Sequence, residues 1–314
     1  MIFPEKIRHH LFFWLLLLWL LPGMEIDHAW ADSSIVVLYP EVREPYFSVF
    51  QTILKGIESK KDASIKTYTL PENFDSGRVT DWLDKQNADA VIGLGKQGLK
   101  AVESLKDTLP VVIGALMLPP IGLSGVSLAA DPDELFSHLK SLAPRVKRVF
   151  VVYNPHENAW LINLAREAAR AHGLELICFA ADDLREAVHH YRDLLKSTES
   201  GRDAIWLPPD DISANDKVVL PLLLEASWAK NFILFSSKPA HAKRGVLFSL
   251  YPDNFALGQR LVEMAVRLHK NPVRPQVIPL QDVQVAVNLR TAAHLGLNYT
   301  SRQKRNFDLT FPAR

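Results

Sequence analysis

The stretch Arg148 to Leu164, RVFVVYNPHENAWLINL, constrains the fold more than any other part of the chain. It opens on four apolar residues, Val149-Phe150-Val151-Val152, followed by Tyr153. A run that short and β-branched reads as a strand buried on both faces of a parallel sheet. Asn154-Pro155 ends it, because proline donates no hydrogen bond and biases the residue before it away from helix. Glu157-Asn158 then leads into the helical spacing Trp160, Leu161, Leu164, Ala165, Ala168, with Asn158 as the expected N-cap. Strand, turn and helix make one βα unit whose helix N-terminus points back at the turn. In an open parallel sheet, ligands bind where such turns gather, at the carboxyl edge of the strands. Taken alone, one such turn is equally what any structural βα connection looks like.

The unit recurs along the chain. Strands are expected over 34–39, 65–70, 90–94, 110–116 and 125–128, with helices over 46–59, 73–85 and 99–105 following the first three. A helix over 131–142 leads to strands over 149–153, 174–180, 203–208 and 232–236, alternating with helices over 158–172, 183–197 and 217–230. A strand over 245–250, a helix over 255–270, a pair of strands within 276–287 and a helix over 291–296 follow. This alternation predicts an α/β protein of two doubly wound parallel-sheet lobes joined by a hinge. The expected division is an N-terminal lobe over 32–130, with 248–272 returning to it, and a C-terminal lobe over 131–247, with 273–298 returning to it. Residues 299–314 are polar and basic without periodicity and read as a loose tail.

Residues 1–31 stand apart. Lys6 and Arg8 precede an unbroken apolar run from Leu11 to Leu21, Pro22-Gly23 breaks it, and Ala29-Trp30-Ala31 offers small residues where a signal peptidase reads. This is the pattern of a cleaved signal peptide, with a run too short to span a bilayer comfortably. An uncleaved anchor is the competing reading. Cys178 is the only cysteine, so no intramolecular disulfide can form, and within Leu174–Phe179 it reads as a small buried hydrophobe. No cysteine adjoins the cleavage site to take a lipid. An exported chain of this size without disulfides suits the periplasm of a Gram-negative bacterium. The net charge of +1 gives no electrostatic case for nucleic-acid binding.

Several short patterns fall in a suggestive order: Asn154-Pro155-x-Glu157-Asn158, Asp203-Ala204-Ile205-Trp206-Leu207-Pro208-x-Asp210, Lys243-Arg244-Gly245, Leu257-Gly258, and Val285-Ala286-Val287-Asn288-Leu289-Arg290-Thr291-Ala292-Ala293-His294-Leu295-Gly296-Leu297. Over about Ile35 to Leu297 the sequence resembles the ABC-transporter substrate-binding proteins of tryptophan/tyrosine type, which have the type I periplasmic binding protein fold. The Asn-Leu-x-Thr-Ala-x-x-Leu-Gly ending is the most specific part. The resemblance implies a monomer that holds an amino acid or similar small ligand between its lobes and delivers it to a membrane permease and its ATPase. Two segments depart from the family pattern: Ser236-Ser237-Lys238-Pro239, basic where relatives are acidic, and Met117-Leu118-Pro119-Pro120, apolar where relatives carry a polar turn. They keep a second reading open, a periplasmic sensing or accessory module serving a membrane kinase or receptor without transport.

The candidate ligand contacts sit at expected strand ends. They are Tyr39, Lys96, Gln97, Asn154, Glu157, Asn158, Asp210, Ser236, Lys238 and Tyr251. Asp210 is a candidate for a ligand amine and Lys96 for an anion. Tyr39, Tyr251 and Trp160 offer rings to an apolar ligand, although core packing explains Trp160 equally well. Asn154, Glu157, Asn158 and Ser236 are as easily turn-formers or caps. Gly93-x-Gly95-x-x-Gly98 matches the dinucleotide fingerprint in letters only: it follows the third strand, and no acid stands about twenty residues on for a ribose. It is the sole support for a third reading, a Rossmann-like enzyme. Consecutive His189-His190 face different ways on a helix and make a poor metal pair, and no nucleophile motif is present. The expectation is a binding protein with no catalytic residues, metal or cofactor.

Overall fold

The computed structural model describes residues 33–61, 63–103, 105–106 and 108–312. The signal peptide expected over 1–31 lies outside the described residues. In chain order the first elements are β1 (Ser33–Pro40), α1 (Tyr46–Glu58), β2 (Ala63–Leu70), α2 (Ser76–Gln86), β3 (Ala90–Leu94), α3 (Gly95–Val102), β4 (Val111–Gly114) and β5 (Ser124–Ala130). The middle of the chain adds α4 (Pro132–Leu142), β6 (Arg148–Tyr153), α5 (Pro155–Ala171), β7 (Glu175–Ala180), α6 (Leu184–Ser197), β8 (Asp203–Leu207), α7 (Val219–Lys230), β9 (Ile233–Ser236) and α8 (His241–Arg244). The last elements are β10 (Phe248–Pro252), α9 (Asn254–Lys270), β11 (Val277–Leu280), β12 (Val283–Asn288), α10 (Leu289–His294), α11 (Ser301–Arg305) and β13 (Leu309–Phe311).

These strands form two sheets. The first runs β11-β5-β4-β3-β1-β2 and is parallel throughout. Alternate residues of its strands feed opposite faces. Ile35 and Val37 join α1 and α9 residues such as Ile53, Ile57, Leu257 and Leu261, while Val36 and Leu38 join Val79, Leu83 and Val102 on the other side. The second sheet runs β13-β12-β10-β9-β8-β6-β7, with β12 antiparallel to β10 and the other pairs parallel. Val149, Val151 and Trp206 pack on α4 and α5, and Phe150, Val152 and Ile205 on α6 and α7. Both layers are doubly wound, as the alternation predicts.

The structure departs from the sequence reading at five points. Asn154, not Asn158, caps α5: its Oδ1 accepts the His156 and Glu157 N–H groups, and Pro155 takes the first helical position. A proline there costs nothing, since that N–H has no helical acceptor in any case. Residues 248–252 are β10 of the second sheet, so the return to the first sheet begins with α9. The strands within 276–287 do not pair with each other; β11 completes the first sheet and β12 joins the second. The stretch read as a loose tail is folded: Thr300 and Gln303 form a capping box for α11, and β13 pairs with β12. Cys178 is half-buried rather than buried, because β7 is an edge strand.

Three crossovers join the sheets, from β5 to α4, from β10 to α9 and from β11 to β12. Each leaves the carboxyl edge of a parallel strand. At this junction Asp131 N–H donates to Leu280 O at 2.8 Å, Asp253 N–H to Asp282 O at 2.9 Å, and Val283 packs against both cores. Arg260 of α9 grips Asp282 with both its Nε and Nη2. The two sheets therefore meet through their carboxyl edges, the edges at which their βα turns collect.

Candidate functional site

On the second sheet, the turns after β6 and β8 are knotted together by one carboxylate. Asp210 is 1% exposed. It accepts Asn158 Nδ2 at 2.8 Å, the backbone N–H of Asn154 at 3.4 Å and of Ile212 at 3.0 Å, and both the N–H and the hydroxyl of Ser213. Asn154 and Asn158 are themselves buried. A buried carboxylate needs this many donors to offset its desolvation. These three predicted contacts thus lie beneath the surface, as the scaffold on which the turn is built.

Ser236 is also buried, and it sits in a chain that resembles a hydrolase relay. Its Oγ lies 2.8 Å from His241 Nδ1, and His241 Nε2 lies 2.7 Å from Asp216 Oδ1. A nucleophile needs an open face. Ser236 Oγ instead accepts the Lys238 N–H at 3.0 Å and lies 3.3 Å from Leu207 O, with no exposure at all. The chain works as a clasp on the loop after β9. Lys238, read from sequence as altered site chemistry, is neutralised by Asp211 of the turn after β8 at 2.5 Å and bonds Ala214 O there at 3.1 Å.

The clasp makes stability depend on pH. Burial pushes the His241 imidazole below its ordinary range, against the opposing pull of Asp216. Burial alone would raise Asp216, but its bond with His241 and the nearby Lys238 and Arg244 outweigh that and hold it low. Between the ordinary histidine pKa and the depressed folded value, the unfolded chain binds a proton that the folded chain refuses. His241 therefore costs stability as pH falls below about 6.5. His138, lowered by burial, acts in the same direction. The thermal midpoint should drop between about pH 7 and pH 5, and His241→Gln should flatten that slope. Identical slopes in the two proteins would remove His241 from the account.

What remains exposed at the edges is chemically simple. Glu157 stands in the first turn of α5, and its carboxylate has no hydrogen bond or ion pair among the described residues. Partial burial, then Asp210 and Asp211, push its carboxyl up, and Lys238 partly offsets them. Tyr251 is half-buried, and burial raises its phenol. On the first sheet, Tyr39 Oη accepts from Thr69 Oγ1 at 2.8 Å. Leu94 precedes α3 without a side-chain cap, leaving the first N–H groups of that helix free. Lys96 is exposed there and unpaired, and the Oε1 of Gln97 is buried with no donor among the described residues.

The glycine pattern around Lys96 is a packing device. Gly95 has a φ of +69°. A Cβ on Gly98 would stand 2.7 Å from the Gly93 carbonyl carbon, and one on Gly93 would stand 2.8 Å from Gly98 O. The glycines let α3 press on β3, a sufficient reason for all three. Sequence reasoning missed two exposed rings: Tyr46 (65% exposed) and Phe47 open α1, the element after β1. Met117, which departs from the family pattern, is exposed just past β4. Two large rings in the solvent-facing first turn after Pro45 were the available signal. Among the described residues no group of three or more His, Cys, Asp or Glu could hold a metal ion, and no helix is long and apolar enough to cross a membrane.

Residues 55–304 match the family described as ABC transporter substrate binding protein. No curated protein matches the sequence. Among solved structures, a ligand-free, open substrate-binding protein with adhesive properties from Clostridium difficile superposes with a TM-score of 0.61 at 16% identity, covering 90% of this chain and 100% of that one. An ABC domain in complex with L-Trp from Streptococcus pneumoniae gives 0.53 at 19% identity, over 90% of this chain and 100% of that one. A conserved domain protein from Vibrio cholerae gives 0.52 at 17% identity, over 89% of this chain and 99% of that one. At such identities the likeness is one of fold, the two-lobed α/β fold of type I periplasmic binding proteins.

Proposed function

The chain belongs to the family of ABC transporter substrate-binding proteins, and from that premise we propose that it is a periplasmic monomer that closes its lobes on an amino-acid-like zwitterion for an ABC permease and its ATPase. The observation that carries the ligand class is a pair of unpartnered charges of opposite sign, one on each carboxyl edge. Lys96, with the uncapped N-terminus of α3, suits a carboxylate. Glu157, its acidity weakened by burial and by Asp210 and Asp211, suits an ammonium. The orphan Gln97 Oε1 needs a donor, which the same ammonium supplies. Tyr46, Phe47 and Met117 offer an apolar surface for a side chain.

A neutral sugar would leave both charges unpaired on closure, at a cost of about 1–3 kcal/mol or more for each. The L-Trp in the Streptococcus pneumoniae structure agrees with the ligand class proposed here. With Lys238 neutralised by Asp211, the main cue for a sensing module is weaker than the sequence suggested. Ligand would act by shifting an open–closed equilibrium about the three-stranded junction.

The test is a thermal-shift screen of the purified protein against the standard amino acids and a panel of neutral sugars. A ligand at about 100 times its Kd adds about 2.7 kcal/mol, a midpoint rise of several degrees. Apolar or aromatic amino acids should produce it. A rise with sugars alone would overturn the proposal.

A further inference from the structure

The groove at the amino edge of the second sheet has no part in the cleft. It offers about 770 Å3 between α7, α8, α10 and the end of β13, within the roughly 300–1,000 Å3 of typical small-molecule sites. Strand β12 spans the distance between the two places: Val283 is at the junction and Asn288 at the groove, about 17 Å apart at strand rise. No carboxylate lines the groove, while Lys243, Arg244, Arg290 and His294 do. Arg244 is paired with Asp216 at 3.2 Å. Lys243 and Arg290 have no carboxylate partner among the described residues.

The aromatic part is already assembled. The His294 ring stacks on Trp228 at 3.6 Å and 4°, and its Nε2 lies 2.8 Å from Trp228 O. The Arg290 guanidinium lies 5.8 Å from the centre of the Trp228 ring. An arginine held over a ring keeps its N–H fork free for a carboxylate. Trp228 remains 47% exposed, and Phe311 adds a second ring. The frame is fixed as well. Asn288 caps α10 by accepting the Thr291 N–H and donates to Ala242 O at 2.9 Å, and Thr291 Oγ1 donates to Gly245 O at 2.8 Å. An exposed lysine or arginine alone would be an ordinary solvated side chain. Here the unpaired cations, the stacked rings and the groove coincide.

We infer that this groove is a second ligand site, and that it takes a small aromatic carboxylate. The ring would lie against Trp228 and Phe311, and the carboxylate between Lys243 and Arg290. The inference does not depend on which ligand fills the cleft.

Isothermal titration of the purified protein with phenylacetate and with its neutral isostere phenylacetamide tests it. Phenylacetate should bind at least about tenfold tighter, as expected for a charge-assisted bond. The double variant Lys243→Ala/Arg290→Ala should lose about tenfold or more for phenylacetate, whereas Lys96→Ala, which removes the carboxylate partner proposed for the cleft, should not. The acid–amide comparison made in Lys96→Ala leaves the groove residues untouched, so it stands whatever the double variant does to folding. No binding of phenylacetate at millimolar concentration, equal binding of acid and amide, or loss of binding in Lys96→Ala would each overturn the assignment. So would tight binding of an Asp-Phe peptide where phenylacetate fails, since that would make the groove a docking site for a protein chain.

Discussion

Gly258→Val should destabilise the fold by about 3 kcal/mol, at the upper end of what overpacking costs. Helices α1 and α9 cross at two glycines. A Cβ on Gly258 would stand 2.1 Å from Ile53 O, and one on Gly56 would stand 2.0 Å from Phe255 O. Both obstacles are backbone atoms of a helix, so no side chain can rotate aside and the helices themselves must separate. They jointly cover one face of the first sheet through Ile53, Ile57, Leu257 and Leu261, and a gap of even 1 Å would forfeit a large part of those dispersion contacts. The control is Gly122→Ala, where the added methyl would meet nothing within 4 Å and only the φ of +78° is strained. That change should cost about 1–2 kcal/mol. Denaturant midpoints of the two variants decide the matter. A Gly258→Val protein no less stable than the Gly122→Ala protein would mean that the crossing is looser than this geometry.

Gly258 also shows what a single sequence can and cannot display. The pair Leu257-Gly258 is visible as a pattern, but its reason lies in a helix about two hundred residues earlier. The strands were legible because a parallel sheet buried on both faces demands unbroken apolar runs, as in Ala90–Leu94 and residues 204–207. Which sheet each late strand joins was not legible. Phe248–Pro252 and Val277–Leu280 have similar local character, and only their partners, β12 for one and β5 for the other, assign them. The tail misled for a related reason. Residues 301–305 are wholly polar, and their helix rests on the Thr300–Gln303 box, while Asp308 accepts the Val285 N–H at 2.7 Å to seat β13.

At the candidate site the residue types were legible but their depth was not. Asp210, Asn154 and Ser236 are the polar residues a reader picks out at strand ends, and they proved to be the most deeply engaged. The motif Asn288–Leu289–Arg290–Thr291 behaves likewise, since Asn288 and Thr291 serve to pin α10 onto the turn at Gly245. A polar side chain fixed by several internal bonds constrains sequence as strongly as one that meets a ligand, and letters alone do not separate the two.

The contrast between Asp210 and Glu157 turns that distinction into a measurement. Asp210→Ala should lower stability by about 3 kcal/mol or more, because it strands donors from Asn154, Asn158, Ile212 and Ser213 in a site with no exposure to compensate them. Binding of the cleft ligand should fall with it, as the turn carrying Glu157 loosens. Glu157→Gln should lose affinity while sparing stability. The folded state holds the Glu157 carboxyl above its ordinary pKa through burial and the neighbouring Asp210 and Asp211, so ionised Glu157 opposes folding at neutral pH. Its stability penalty is absent at pH values well below the unfolded carboxyl pKa and fully present above the raised folded one. The neutral variant should thus match or exceed the parent in thermal midpoint near pH 7, yet bind an amino-acid ligand about 10–100-fold more weakly for want of a partner to the ammonium. Denaturation and calorimetry on the two variants give four readouts. Stability lost only in Asp210→Ala, with affinity lost in both, fits a buried scaffold beneath an exposed contact. An Asp210→Ala protein that is fully stable but cannot bind would instead put Asp210 against the ligand, and the buried knot would have to open when the lobes close.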